Sequence, residues 1–394
     1  MPKPRLAALM SPERAADVVD AATRRLLDER FEVVWADAQH AAGPAQPGKP
    51  PGLDPAAVAE LADGAEVLLT SWGTPRLGKE LWAAGGPKVV AHAAGPAQPG
   101  KPPGLDPAAV AELAAGAEVL LTSWGTPRLG KELWAAGGPK VVAHAAGTVK
   151  NLVEPGVLAQ GVGVFSAGPR IAWSVGEYCL GAMLTLARRL ARFDGAVRGG
   201  GWKQTEYRGH ELAGAKVGIV GASSTARALI TMLKPFGCDL AVYDPYLNDA
   251  RAAELGVRTT TLDDAASAPF LSIHVPNVPE TKGMITRALI ENLPDCAVVV
   301  NSSRGPAIDQ QALLDHALDG RIYAALDVYD PEPPTFDEHI LRSENLLLTP
   351  HIAGDTAEGH LALAGYVVRD ALKWLEDGTR GPSFVDSSTW SIAA

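Results

Sequence analysis

The sequence predicts an α/β protein made of two doubly wound, parallel-sheet domains, and three observations predict it. The chain has 394 residues, 47% of them hydrophobic, more than a single core usually holds. Short apolar runs alternate with amphipathic helical segments, the pattern of a parallel sheet with right-handed crossovers. Many of those runs end in polar or charged residues, and open parallel sheets bind ligands beyond the carboxyl ends of their strands.

At the N-terminus a strand (RLAALM) leads to a helix (ERAADVVDAATRRLLDER) and a second strand (FEVVWAD). Then the chain repeats itself. Residues 40–95 recur at 92–147 with one difference, Asp63 against Ala115. Two near-identical copies make a tandem duplication and not a solenoid, which needs three or more repeats. Each copy reads as a Pro/Gly-rich linker (GPAQPGKPPG), a helix (LDPAAVAELA), a strand (AEVLLTS), a short helix (PRLGKELWAAG) and a strand (KVVAHAA). Only the second copy continues past His144 into a proline-free loop. It is therefore expected to supply the last native strand before GVGVFS. Lengthening a loop by one copy costs roughly 1.5 kcal/mol in closure entropy, so the surplus unit is expected to be able to loop out, with exposed strands that invite swapping.

A long helix follows, with Ser174 as candidate cap and Val175, Tyr178, Cys179, Met183, Leu186 and Leu190 at spacings that favour burial. After GGGWKQTEYRGHELAG come a strand (KVGIVG), a tight turn, a helix (ARALITMLKPFG) and a strand (DLAVYD), a Rossmann-like βαβ unit of dinucleotide-binding length. Its glycine loop is degenerate. Gly221 holds the first place, Ser223 the second and Ala226 the third. Asp244, at the end of the second strand, is placed to take ribose hydroxyls and to repel a 2′-phosphate, which favours NAD over NADP. Three further strands (FLSIHVP, CAVVVNSSRG, IYAALDVYDPEP) alternate with helices (TRALIENLP, QQALLDHALDG), and Pro276, Ser302, Arg304, Asp327 and Glu332 fall at their carboxyl ends.

Composition excludes several classes of function. A net charge of −10 and a pI near 5.4 argue against nucleic acid, which requires a basic face. Cys179, Cys238 and Cys296 are too few and too scattered for a disulfide framework or a metal cluster. No metal is expected. The N-terminus turns polar too early for a signal peptide and no run is long enough to span a membrane, so a soluble cytoplasmic protein is expected.

Arg304, Glu332 and His351 supply what reduction of a 2-keto acid by a nicotinamide requires. The arginine grips a carboxylate, the histidine delivers a proton, and the carboxylate holds the histidine protonated and oriented. The stretches HAAGTVKNLV, SVGEYCLGAML, HVPNVPETKGMI, VVNSSRGPAIDQQALLDHAL, AALDVYDPEPP and NLLLTPHIAGDT resemble the D-isomer-specific 2-hydroxyacid dehydrogenases. The resemblance spans nearly all of 147–356. It implies a Rossmann-like and a flavodoxin-like domain with the active site in the cleft between them. The substrate-binding domain would be 1–168 and the NAD-binding domain 169–349, with 350–394 returning to the first. It implies His351 as acid and base, Glu332 as its partner and Arg304 as substrate anchor. The backbone of Ala146, Gly147 and Thr148 would receive the substrate carboxylate. Gly221, Ser223, Ser224, Thr225, Asp244, Pro276, Ser302, Asp327 and Gly354 would surround NAD, with Asp327 at the carboxamide. A homodimer acting on a small 2-keto or 2-hydroxy acid is implied. The reading of another class is an idle NAD(H)-sensing scaffold, for which Ser223 and the duplication leave room.

Overall fold

The computed structural model describes residues 5–9, 20–30, 32–35, 41–42, 52–53, 67–71, 89–93, 119–122, 128–130, 132–135, 138–203 and 207–392. Two compact units emerge, one of residues 1–170 with 357–393 and one of residues 171–356. The expected helix LDPAAVAELA lies outside the described residues in the second copy and, apart from Leu53, in the first, as do PRLGKELWAAG of the first copy and residues 13–19 of the first expected helix.

The first unit carries strands β1 (Arg5–Leu9), β2 (Glu32–Trp35), β5 (Val67–Ser71), β6 (Val89–Ala93), β7 (Val119–Thr122), β8 (Val141–His144) and β9 (Gly163–Ser166). A two-residue pair, β3 (Ala41–Ala42) with β4 (Gly52–Leu53), stands apart from them. The seven strands form one parallel sheet in the order β2-β1-β5-β6-β7-β8-β9. The sequence left open whether the surplus copy folds, swaps or loops out. Both copies enter the sheet, and the internal register is the same in each: Val67 pairs with Val89, and Val119 with Val141. The reason is modular. A copy delivers two parallel strands together with their crossovers, so a second copy fits beside the first through a new β6–β7 pairing. Without that insertion the order would be 2-1-3-4-5, the flavodoxin-like arrangement.

Around β8 and β9 the core is aliphatic, with Val142, Val149, Leu152, Val153 and Val164 buried. The C-terminal helix Ala357–Asp377 packs on these two strands. Phe165 meets Trp374 and Phe384 edge to face, with centroids 6.3 and 5.5 Å apart. Beyond the helix the chain runs back along β9, where Val385 N–H donates to Val164 O at 2.8 Å and Ser166 N–H to Ser383 O at 2.8 Å. These bonds occupy backbone groups that an edge strand would leave open.

The second unit holds β10 (Lys216–Val220), β11 (Asp239–Tyr243), β12 (Arg258–Thr259), β13 (Phe270–Ile273), β14 (Val298–Asn301), β15 (Tyr323–Leu326) and β16 (Leu346–Leu348). They are all parallel in the order β12-β11-β10-β13-β14-β15-β16. The sequence reads β10, β11, β13, β14 and β15 as apolar runs because both of their faces are covered. Val298, Val300 and Tyr323 enter one core, while Val299, Ala324 and Leu326 enter the other. Strand order reverses between β10 and β13, and ligands bind at such a switch point.

The long helix starts at Gly168 and ends at Ala187. Ser174 is therefore not its cap but a buried interior residue, its hydroxyl 3.1 Å from that of Thr356. Leu190, expected to be buried, is 53% exposed. Arg189 at φ 52° breaks the helix and starts a second one, Leu190–Arg198, out of phase with the first. No helix among the described residues is long and apolar enough to cross a membrane.

Candidate active site

Three turns after successive strands of the second unit carry the candidate residues Arg304, Glu332 and His351. The first follows β14. Asn301, fully buried, accepts from Ser303 N–H at 3.2 Å and from its hydroxyl at 3.0 Å, and donates its amide to Arg304 O at 3.0 Å. That closed network sets the direction in which Arg304 leaves the strand. Gly305 follows because a Cβ there would lie 2.0 Å from Tyr329 O; only glycine lets this turn press against the next one. Burial works against the charge on the Arg304 guanidinium, and the Glu332 carboxylate opposes that effect.

Glu332 lies in the turn after β15. Its Oε1 accepts the Tyr329 N–H at 2.9 Å, and its Oε2 sits 3.0 Å from His351 Nδ1. The two side chains are 37% and 55% exposed. A pair so open to water contributes only about 0–1 kcal/mol to stability. Its alignment therefore calls for a chemical reason rather than a structural one. With Nδ1 facing Glu332, the other ring nitrogen of His351 takes no partner among the described residues.

His351 is held from behind by Asp327. This carboxylate has no exposed surface. It accepts the Thr349 hydroxyl at 2.6 Å, Ile352 N–H at 2.8 Å and Ala353 N–H at 2.9 Å. Tyr329 donates its hydroxyl to Thr349 O at 2.8 Å, and the Tyr178 hydroxyl lies 2.7 Å from that of Thr349. Burial pushes the Tyr329 phenol up to about 12 and that of Tyr178 further. Both remain neutral braces. Sequence reasoning missed Thr349 and Tyr329 because their partners are backbone carbonyls and a distant carboxylate, which no local pattern reveals.

At the switch point Gly221 adopts φ 92°, and a Cβ there would lie 2.7 Å from His274 O. The helix Ser224–Leu233 starts at once, capped by Ser223, whose hydroxyl accepts from Ala226 N–H. The N–H groups of Ser224 and Thr225 have no acceptor among the described residues. They stand at the positive end of a ten-residue helix, a ready site for a pyrophosphate. Asp244 Oδ2 accepts Ala222 N–H at 2.6 Å and Oδ1 accepts Tyr246 N–H at 2.7 Å. The bonds fix the carboxylate at the end of β11 while lone pairs remain for ribose hydroxyls. Glycine turn, open first-turn amides and anchored acid together fit NAD. Around them, Ser302 Oγ lies 3.1 Å from Cys179 Sγ, Pro276 O accepts from Thr281 at 2.6 Å, and a Cβ on Gly354 would lie 2.6 Å from Ile171.

In the first unit, Ala146, Gly147 and Thr148 form the loop after β8. Ala146 is 1% exposed while Gly147 and Thr148 are half-buried. Ser166 donates its hydroxyl to Gly147 O and accepts Gly168 N–H at 3.0 Å, which fixes the loop from one side. His144, at the end of β8, lies with Nδ1 2.9 Å from Thr122 Oγ1, and burial pushes it down to about 4.

Residues 180–353 match the family model for the D-isomer specific 2-hydroxyacid dehydrogenase, NAD binding domain. A D-3-phosphoglycerate dehydrogenase of Mycobacterium leprae is 34% identical over 270 residues, covering 65% of this chain and 51% of its own. The chain thus spans about half the length of that relative. A hydroxypyruvate reductase of Thermotoga maritima is 31% identical over 240 residues, covering 60% of this chain and 78% of its own. Among solved structures, a phosphoglycerate oxidoreductase from Rhizobium etli shares the fold, with a TM-score of 0.63 at 21% identity over 97% of this chain and 98% of that one. Apo D-lactate dehydrogenase from Escherichia coli matches with a TM-score of 0.56 at 25% identity, over 75% of this chain and 92% of that one. With the NAD-binding domain matched and most of the Thermotoga reductase spanned, the chain belongs to the D-isomer specific 2-hydroxyacid dehydrogenase family.

Proposed function

We propose that this protein is an NAD-dependent oxidoreductase that interconverts a small 2-keto acid and its D-2-hydroxy acid. The observation that carries the reading is the 3.0 Å contact of His351 Nδ1 with Glu332 Oε2, which leaves the other ring nitrogen to a reactant. When bound, the nicotinamide supplies or accepts the hydride. In reduction, protonated His351 donates to the carbonyl oxygen as it gains charge, and in oxidation the neutral ring takes that proton back. Glu332 keeps the imidazole oriented through its contact with Nδ1. Arg304 holds the substrate carboxylate with a planar pair of donors, aided by the backbone of Ala146, Gly147 and Thr148. Gly221, Ser223, Ser224 and Thr225 cradle the pyrophosphate, Asp244 the ribose, and Pro276, Ser302 and Gly354 the nicotinamide side. Asp327, expected at the carboxamide, has no exposed surface; we assign it the holding of Thr349–Ala353 and hence of His351.

The names of relatives point to hydroxypyruvate among substrates, and glyoxylate and pyruvate are the same class of acid. NADH oxidation by the purified chain across these 2-keto acids tests the reading. Turnover with at least one is expected. Silence across the panel despite measurable NADH binding overturns it in favour of an idle NAD(H)-sensing scaffold. A homodimer is the proposed assembly, to be read by light scattering.

A further inference from the structure

We infer that His274 is a positioning residue for the cofactor loop, linking Ser223 and Thr225 to the floor of the sheet; this rests on the NAD reading above. His274 is the first residue past β13 and is 2% exposed. Its Nδ1 lies 3.0 Å from Thr225 Oγ1 and its Nε2 lies 2.9 Å from Ser272 Oγ, a residue with no exposed surface. Thr225 Oγ1 is in turn 2.9 Å from Ser223 Oγ. The four side chains make one continuous line of hydrogen bonds from the glycine-poor turn into the sheet. A neutral imidazole donates at one nitrogen and accepts at the other, so it passes a single polarity along the line. Burial pushes the ring down to about 3, which keeps it neutral under any assay condition near pH 7.

The main chain gives an independent link at the same place. His274 N–H donates to Val220 O at 2.8 Å, and Gly221 packs so tightly on His274 O that a Cβ would lie 2.7 Å from it. The loop thus leans on residue 274 through both backbone and side chain. This accounts for serine in the place of the second glycine. Its hydroxyl accepts from Ala226 N–H and bonds Thr225, so it is turned back toward the helix rather than into the space where phosphate oxygens approach. A histidine that merely fills the core satisfactorily would give stability and nothing more.

The test is the NADH dissociation constant, by fluorescence titration, for the wild-type chain and for His274→Leu, Thr225→Val and the double variant. Each single change is expected to weaken NADH binding by about tenfold, the loss of one aligning hydrogen bond. The double variant should be no weaker than the weaker single one, because the line is already broken. The KM for NADH should rise more than kcat falls. Thr225→Val removes one hydroxyl from a half-buried helix start and keeps the test alive where His274→Leu fails to fold. Nitrogen shifts of the His274 ring in the protein without NADH should show one protonated and one bare nitrogen. NADH affinity unchanged in Thr225→Val, with the wild type binding, overturns the inference alone. Absence of NADH binding by the wild type overturns the cofactor reading and this inference with it.

Discussion

At φ 58° His351 occupies the left-handed region, which costs a non-glycine residue about 1–2 kcal/mol. The cost is tolerated because Asp327 binds the segment on both sides of it through Thr349, Ile352 and Ala353. Backbone strain is thereby converted into a fixed ring orientation at the end of β16. His351→Asn keeps much of the shape and removes the titrating group. We expect kcat to fall by about 10²–10⁴ with the NADH dissociation constant within about twofold; loss of NADH binding instead would mark the histidine as a cofactor contact. The buried histidines make a second prediction. Burial holds His144 and His274 down to about 4 and about 3, below the 6.5 of a free imidazole. The unfolded chain therefore binds protons first as pH falls. The stability that neutrality confers is complete above about pH 6.5 and drains toward the folded-state values. Between pH 7 and pH 5 each group should cost roughly 2 kcal/mol, and denaturant midpoints of His144→Asn should show a smaller drop than wild type. Arg304, Glu332 and His351 were legible in the sequence because each ends an apolar run in a distinctive motif. Asp327's grip on the Thr349 segment was not, since its partners lie 22 to 26 residues away.

Among the elements, turns matter more than strands. Five strands of the second unit, β10, β11, β13, β14 and β15, were readable because each is a short, largely buried apolar run. How two turns meet was not readable. Gly305 shows why: its contact with Tyr329 O, far along the chain, draws the Arg304 turn against the Glu332 turn. Gly305→Ala should force these turns apart. Since the arginine anchors the substrate carboxylate in the proposed reaction, the KM for the 2-keto acid should rise about tenfold or more, with a smaller change for NADH. Equal effects on both would show that the whole sheet edge had shifted. The glycine-poor loop teaches the same lesson. In the sequence Ser223 reads only as a departure from the glycine pattern, and in three dimensions it is a helix cap.

For the whole molecule, the duplication is the decisive feature. The outer pairings, β1 with β5 and β8 with β9, are made by the first strand of one copy and the last strand of the other. Deleting residues 92–143 leaves one copy and keeps a strand of each kind. The shortened chain should fold into a five-stranded first sheet, with circular dichroism and NADH affinity close to those of the full chain. Aggregation of the shortened chain would show that the β6–β7 pairing is required.

By itself the sequence determined the alternation of strands and helices, the βαβ unit ending at Asp244, and the candidate residues Arg304, Glu332 and His351 at the ends of apolar runs. These depend on local periodicity and on turn residues that are written side by side. Only the tertiary structure decided that both copies share one sheet, that Ser174 lies within a helix, that Asp327 braces His351, and that His274 ties Thr225 to Ser272. Apart from the short step from His274 to Ser272, those outcomes depend on hydrogen-bond partners 22 to 182 residues apart, and such partners are chosen by packing and strand register.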